Sequence, residues 1–285
     1  MRVLITAASG QLGRDCVDAF GDDDVVAVDH HDLDVADEAA VFEVVSSVVP
    51  EIVVNTAAWT DVDGCERDPV RAHQVNALGP WALARACDQV GARLVTISSD
   101  YVFSGRPAEE GRGWCEVDPP APLNVYGRTQ AAGEQLVRES LVQHHIVRTA
   151  WLSGAGGRNA VSSILGQARE HGELAFVDDQ HGAPTYTRDL AAALRRLVAA
   201  RRFGTVHLTN SGTCSWFELA VATVELAGLP ATVTPVSSDR LERRAARPSW
   251  SVLDGTHAAA LGIGPLPHWR DGLTRLLEEL GERAG

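Results

Sequence analysis

Short, β-branched apolar runs recur along the first half of the chain, and stretches with helical spacing separate them. The runs are Val3-Leu4-Ile5, Val25-Val26-Ala27-Val28, Ile52-Val53-Val54, Leu94-Val95-Thr96-Ile97 and His145-Ile146-Val147. Continuous apolar runs, as opposed to alternating ones, mark strands buried on both faces. Between them the spacing predicts helices near residues 11–20, 37–48, 69–90 and 124–140. This alternation predicts an α/β fold built on a doubly wound parallel sheet, the Rossmann arrangement. Beyond about residue 150 the pattern loosens. A glycine-rich loop, Ser153-Gly154-Ala155-Gly156-Gly157, precedes a helix near 159–171 and a short strand at Leu174-Ala175-Phe176-Val177. A helix near 187–201, a strand at Thr205-Val206-His207-Leu208 and a helix over 216–228, ended by Gly228-Leu229-Pro230, follow. This half is expected to form a smaller domain interleaved with the first.

Composition narrows the function. The chain of 285 residues is long enough to bury a large core. A net charge of -13 argues against sequence-independent nucleic-acid binding and against docking on anionic membrane. No apolar stretch is long enough to span a bilayer, and Met1-Arg2-Val3-Leu4-Ile5 enters a strand without a signal peptide. A soluble, cytoplasmic protein is expected. The five cysteines are scattered without metal-ligand spacing, which points to buried or incidental thiols. All 25 basic residues are arginine, and lysine is absent.

Two stretches carry candidate chemistry. The first strand runs into Thr6-Ala7-Ala8-Ser9-Gly10-Gln11-Leu12-Gly13 and then a helix. A glycine-bearing turn at that place sets backbone N–H groups and the positive helix end against a pyrophosphate. Ala7, Gly10, Gln11, Leu12 and Gly13 are therefore candidate cofactor contacts, and Arg14 is a candidate phosphate contact. An alanine at position 7 fits if its φ is negative and strains the turn otherwise. Asp29, at the end of the second strand, can accept hydrogen bonds from an adenine ribose and repel a 2′-phosphate, which favours NAD. His30, when neutral, offsets that only partly. The second stretch is Pro122-Leu123-Asn124-Val125-Tyr126-Gly127-Arg128-Thr129-Gln130-Ala131-Ala132-Gly133-Glu134.

That run resembles the Tyr-x-x-x-Lys helix of short-chain dehydrogenases, in the form typical of their extended, sugar-nucleotide-modifying branch. Gln130 stands where the family has lysine. Further runs resemble one subfamily, the dTDP-4-dehydrorhamnose reductases. They are Asn55-Thr56-Ala57-Ala58-Trp59-Thr60-Asp61-Val62-Asp63, Ser98-Ser99-Asp100-Tyr101-Val102-Phe103-Ser104-Gly105 and Arg148-Thr149-Ala150-Trp151-Leu152. Asp178-Asp179-Gln180-His181-Gly182-Ala183-Pro184-Thr185 and Arg247-Pro248 with Ser251-Val252-Leu253-Asp254 extend the likeness over almost the whole chain.

The resemblance implies reduction of the 4-keto group of a dTDP-4-keto-6-deoxysugar by NADPH or NADH. It assigns catalysis to Ser99, Tyr126 and Gln130, with Tyr126 as general acid and Ser99 polarising the carbonyl. It adds Asp34, Val35, Ala57, Ala58, Tyr126 and Gln130 to the cofactor contacts. It gives Ser98, Ser99, Tyr126, Trp151, Asn159 and Arg247 to the substrate. It assigns residues 1–152 to an NAD(P)-binding Rossmann domain, joined by the strands near 174–177 and 205–209. Most of 153–285 becomes the substrate-binding domain. No metal is expected at the catalytic site. The family implies a homodimer, in some members with Mg2+ between subunits, near the positions of Asp15 and Asp189. Loss of the lysine charge keeps two alternatives open: a non-catalytic nucleotide-binding homologue of regulatory type, and an altered reaction such as epimerisation.

Overall fold

The computed structural model describes residues 1–106, 109, 111–200 and 202–283. Five apolar runs form strands: β1 (Arg2–Thr6), β2 (Asp24–Ala27), β3 (Ile52–Asn55), β4 (Arg93–Ser99) and β5 (His144–Thr149). With the strand Gly204–His207 they make a six-stranded sheet, all parallel, in the spatial order Gly204–His207, β5, β4, β3, β1, β2. The order reverses at β1, so a crevice opens at the carboxyl ends of β1, β3 and β4.

The helices are α1 (Gln11–Ala19), α2 (Glu38–Val48), α3 (Val62–Arg67), α4 (Pro69–His73), α5 (Gly79–Val90), α6 (Val125–Ser140), α7 (Ala160–Glu170), α8 (Thr187–Ala200) and α9 (Trp216–Leu226), followed among the described residues by Thr256–Ala260 and Trp269–Glu279. Alternate residues of β1 face opposite layers. Val3 and Ile5 pack with Leu12 and Cys16 of α1 and Leu190 and Leu194 of α8. Leu4 packs with Val41 and Val45 of α2 and Leu83 of α5. A third core, beyond the sheet, joins Ile164 of α7, Leu219 of α9 and Leu276.

The structure departs from the sequence expectation in two places. The strand Glu173–Val177 does not join the main sheet; it pairs in parallel with Thr232–Val236 in a separate two-stranded sheet. Its residues alternate between exposed and buried, whereas β3 is buried throughout. It therefore suits a sheet with one wet face. The helix expected over 69–90 is α4, a π-helical turn at Gln74–Leu78, and α5. Pro80 at the start of α5 has no N–H to continue the regular ladder, and the wider turn absorbs the break. The last position of the helix expected over 187–201 lies outside the described residues.

Candidate active site

The turn after β1 is built for an anion. Gly10 caps α1 without any side-chain hydrogen bond, so the leading N–H groups of the helix keep no internal cap. A Cβ on Gly13 would stand 2.2 Å from the Ala7 carbonyl oxygen, so glycine there lets the turn lie flat on the helix. Ala7 itself has φ +49°, the left-handed conformation in which a Cβ is strained. Ala8 N donates to the Val28 carbonyl at 3.0 Å, which ties the turn to the end of β2 and brings Asp29 beside it. The half-buried Asp29 accepts from His31 N at 2.8 Å. These features fit a dinucleotide diphosphate with its ribose next to Asp29.

The facing wall is α6 and the end of β4. Asn124 caps α6 by accepting from Gly127 N at 2.8 Å, and Glu66 accepts from Val125 N at 2.7 Å. Tyr126, on the first turn, has its hydroxyl within hydrogen-bonding reach of the Ser99 and Gln130 side chains. Burial pushes the Tyr126 phenol well above its ordinary value; the contacts with Ser99 and Gln130 offset only part of this. Ser99 Oγ donates to Asp100 Oδ1 at 2.9 Å and accepts from Tyr101 N at 3.2 Å. Burial raises the Asp100 carboxyl to about 6. Tyr101 meets Tyr126 edge-on, with ring centroids 5.7 Å apart.

A buried ion pair sits beneath this wall. Arg148 grips Glu134 with two hydrogen bonds, of 2.8 and 2.7 Å. Ser98 Oγ donates to the same carboxylate at 2.6 Å and Arg138 at 2.7 Å. Burial and these donors act oppositely on Glu134, and the net result holds its carboxyl below the ordinary value.

Between the walls lies a cleft of about 490 Å³. Ala7, Gly10, Gln11, Leu12, Gly13 and Ala58 line it on the nucleotide side. Ser98, Ser99, Tyr126, Gln130, Trp151 and Asn159 line it on the other. The sequence reading of the two central clusters thus converges on one cavity. Trp151, with φ +48°, stacks on Trp216 with centroids 3.6 Å apart, and Gly182 leaves room for its indole. The Ser98 hydroxyl is engaged by Glu134, so it holds β4 to α6.

Several expected contacts stand outside the cleft lining. Val35 is buried in the core against Gly79. Ala57 packs at the edge of the same core. Asp34 lines a separate open groove with Phe42 and Gln74, and exposed His30 lies 4.0 Å from it. Arg247 is paired with Asp63 at 2.7 Å and donates to the Ala245 carbonyl. Arg14 donates to the Ser9 carbonyl at 3.0 Å. The sequence reading did not single out Asp100, Tyr101, Arg158 or Trp216, all of which line the cleft. Asp100 and Tyr101 carried a signal, since they follow Ser99 inside a recognised run; Trp216 carried none.

The positions suggested for Mg2+ are poor metal ligands here. Both Asp189 oxygens accept from Arg275 at 2.7 Å, and one also accepts from Asn210. Asp15 faces Arg188 at 3.6 Å. Among the described residues there is no group of three or more His, Cys, Asp or Glu that could hold a metal, and no helix is long and apolar enough to cross a membrane.

A parallel sheet with a phosphate turn at its strand reversal, faced by Ser99 at the end of β4 and Tyr126 on α6, defines a short-chain dehydrogenase of the extended kind. Comparison with known proteins is more specific. The chain matches the family model described as the RmlD substrate binding domain over residues 1–282, and it belongs to that family. A dTDP-4-dehydrorhamnose reductase of Streptomyces griseus is 46% identical over 294 residues, covering 100% of this chain and 95% of the relative. The crystal structure of a dTDP-4-dehydrorhamnose reductase from Clostridium acetobutylicum superposes with a TM-score of 0.94 at 38% identity, covering 99% of this chain and 100% of that one. That of the Bacillus anthracis enzyme in complex with NADP has a TM-score of 0.93 at 38% identity, covering 98% and 99%.

Proposed function

We propose that the protein reduces the 4-keto group of a dTDP-4-keto-6-deoxysugar, with NADPH or NADH as reductant. The observation that carries this reading is the placement of the Tyr126 and Ser99 hydroxyls in one cleft with the phosphate turn. The named activity of the Streptomyces griseus relative and the NADP bound to the Bacillus anthracis relative support it.

When bound, the dinucleotide supplies the hydride. The protein's residues supply the rest. Ser99 polarises the ketone by turning its hydroxyl from Asp100 to the carbonyl oxygen. Tyr126 gives its proton to the developing alkoxide, because burial keeps the phenol protonated at neutral pH. Gln130 holds the tyrosine by a hydrogen bond but brings no charge, so the acid is weaker than one beside a cation. The stacked Trp151 and Trp216 wall the sugar side and exclude water. Asp29 favours NADH over NADPH through its negative charge beside the turn.

One observation favours a second reading, a binding protein without catalysis: the neutral Gln130 beside Tyr126. NAD(P)H consumption with enzymatically prepared dTDP-4-keto-6-deoxy-L-mannose separates the two. Wild type is expected to turn over, and Tyr126→Phe to lower kcat by about 100- to 10,000-fold. Gln130→Lys is expected to raise kcat by about tenfold, the effect of one unit of phenol pKa. A silent wild type with an active Gln130→Lys variant would replace the reductase by the binding protein.

A further inference from the structure

The glycine-rich loop 153–157 has no part in that mechanism, yet it crosses directly over the start of α1. Gly154 N donates to Gln11 Oε1 at 3.1 Å. Asn159 Nδ2 reaches the same oxygen at 3.3 Å and the Gly154 carbonyl at 2.8 Å. A Cβ on Gly154 would lie 2.0 Å from Thr187 Oγ1, and one on Gly156 2.8 Å from Arg14 Cδ. Glycine is what lets this segment pass between α8 and α1. The chain then enters α7 through Asn159, whose capping box with Ser162 fixes the helix start. Both ends of the loop are therefore held.

Arg158 stands between loop and helix. It is exposed, and among the described residues it has no hydrogen bond or ion pair. Among the described residues it is also the one cationic side chain lining the cleft, where the uncapped N-terminus of α1 already favours an anion. A chain of net charge -13 repels polyanionic ligands at long range, so a local cation at the mouth counts.

We propose that Arg158 clamps a nucleotide diphosphate in the cleft, reaching it from the start of α7. The guanidinium fork suits paired phosphate oxygens, and the pinned loop holds it in place before the ligand arrives. The inference rests on the proposed function, which supplies two diphosphates: that of the dinucleotide and that of the dTDP-sugar.

Titration calorimetry of the full chain with NADH, NADPH and dTDP separates these sources. Arg158→Ala weakens the clamped nucleotide by about tenfold and Arg158→Glu by more, whereas Arg158→Lys, which keeps the charge without the fork, falls between Arg158→Ala and wild type. Weakening confined to NADH and NADPH assigns the clamp to the dinucleotide; weakening confined to dTDP assigns it to the sugar nucleotide. If wild type binds and the Ala and Glu variants bind all three within about twofold, the clamp is wrong while the reductase reading stands. If wild type binds none of them, both fail.

Discussion

Ala7 holds a left-handed backbone at φ +49°, where an alanine is about 1 kcal/mol worse than glycine. The strain has a local cause: Gly13 packs against the Ala7 carbonyl, and this contact sets the turn regardless of which side chain position 7 carries. Ala7→Gly is accordingly expected to raise unfolding stability by about 0.5–1 kcal/mol in urea, less what glycine adds to the freedom of the unfolded chain. No change in stability, or a loss, would show that the turn is not strained there. From the sequence an alanine there fitted at negative φ and strained the turn otherwise, and the sign was open, so only the turn's geometry decides. Gln130 was legible as a lost charge. The structure adds that among the described residues no arginine takes its place, because the cleft's cation, Arg158, belongs to the loop before α7. Trp151 was named from the resemblance, and it lines the cleft. Its partner Trp216 was not named, because stacking across two distant segments leaves no mark on local spacing.

At the scale of the element, α6 decides whether Tyr126 meets Ser99. Two glycines let it sit close to its neighbours: a Cβ on Gly127 would lie 2.1 Å from the Tyr101 carbonyl oxygen, and one on Gly133 2.4 Å from that of Asn76. Glu134 then locks the helix to β4 through Ser98 and to β5 through Arg148. Removing its charge strands a buried guanidinium. Glu134→Gln is therefore expected to destabilise the protein by about 3–5 kcal/mol, measured by urea unfolding, and to lower kcat more than it raises KM. A cost within about 1 kcal/mol would mean that Arg148 finds another partner or water. The Gly-x-x-x-x-x-Gly-Glu spacing on this helix was visible in the sequence, but which neighbour each glycine approaches was not. The same limit explains the strand Glu173–Val177. Its apolar run was readable as a strand, whereas its pairing with Thr232–Val236 depends on a segment with no apolar run of its own.

At the scale of the molecule, the alternation of apolar runs and amphipathic stretches conveyed the sheet and its two helical layers, because burial on both faces leaves a one-dimensional signature. Polar groups inside those layers leave none, and they set the response to acid. His207 lies buried beside Arg148, with Glu134 and Glu116 nearby, and burial followed by the Arg148 charge lowers it from 6.5 to about 3. His145 packs on Phe203, and burial, with Arg93 and His144, lowers it to about 4. Both imidazoles are therefore neutral when folded and protonate near pH 6.5 when unfolded. Their stabilisation is complete above that pH and is lost as pH falls, at up to about 1.4 kcal/mol per pH unit for each. Asp100 acts in the opposite sense. Its folded value of about 6, above the ordinary 3.8, favours the folded state as pH falls through that window and cancels about one histidine. The remainder predicts a loss of about 3 kcal/mol between pH 6 and 4, read from urea unfolding at the two values. His207→Gln should flatten that loss, and in Asp100→Asn, which keeps an acceptor for Ser99 without the titration, it should roughly double. A loss that is unchanged in both variants would place the acid sensitivity elsewhere in the chain.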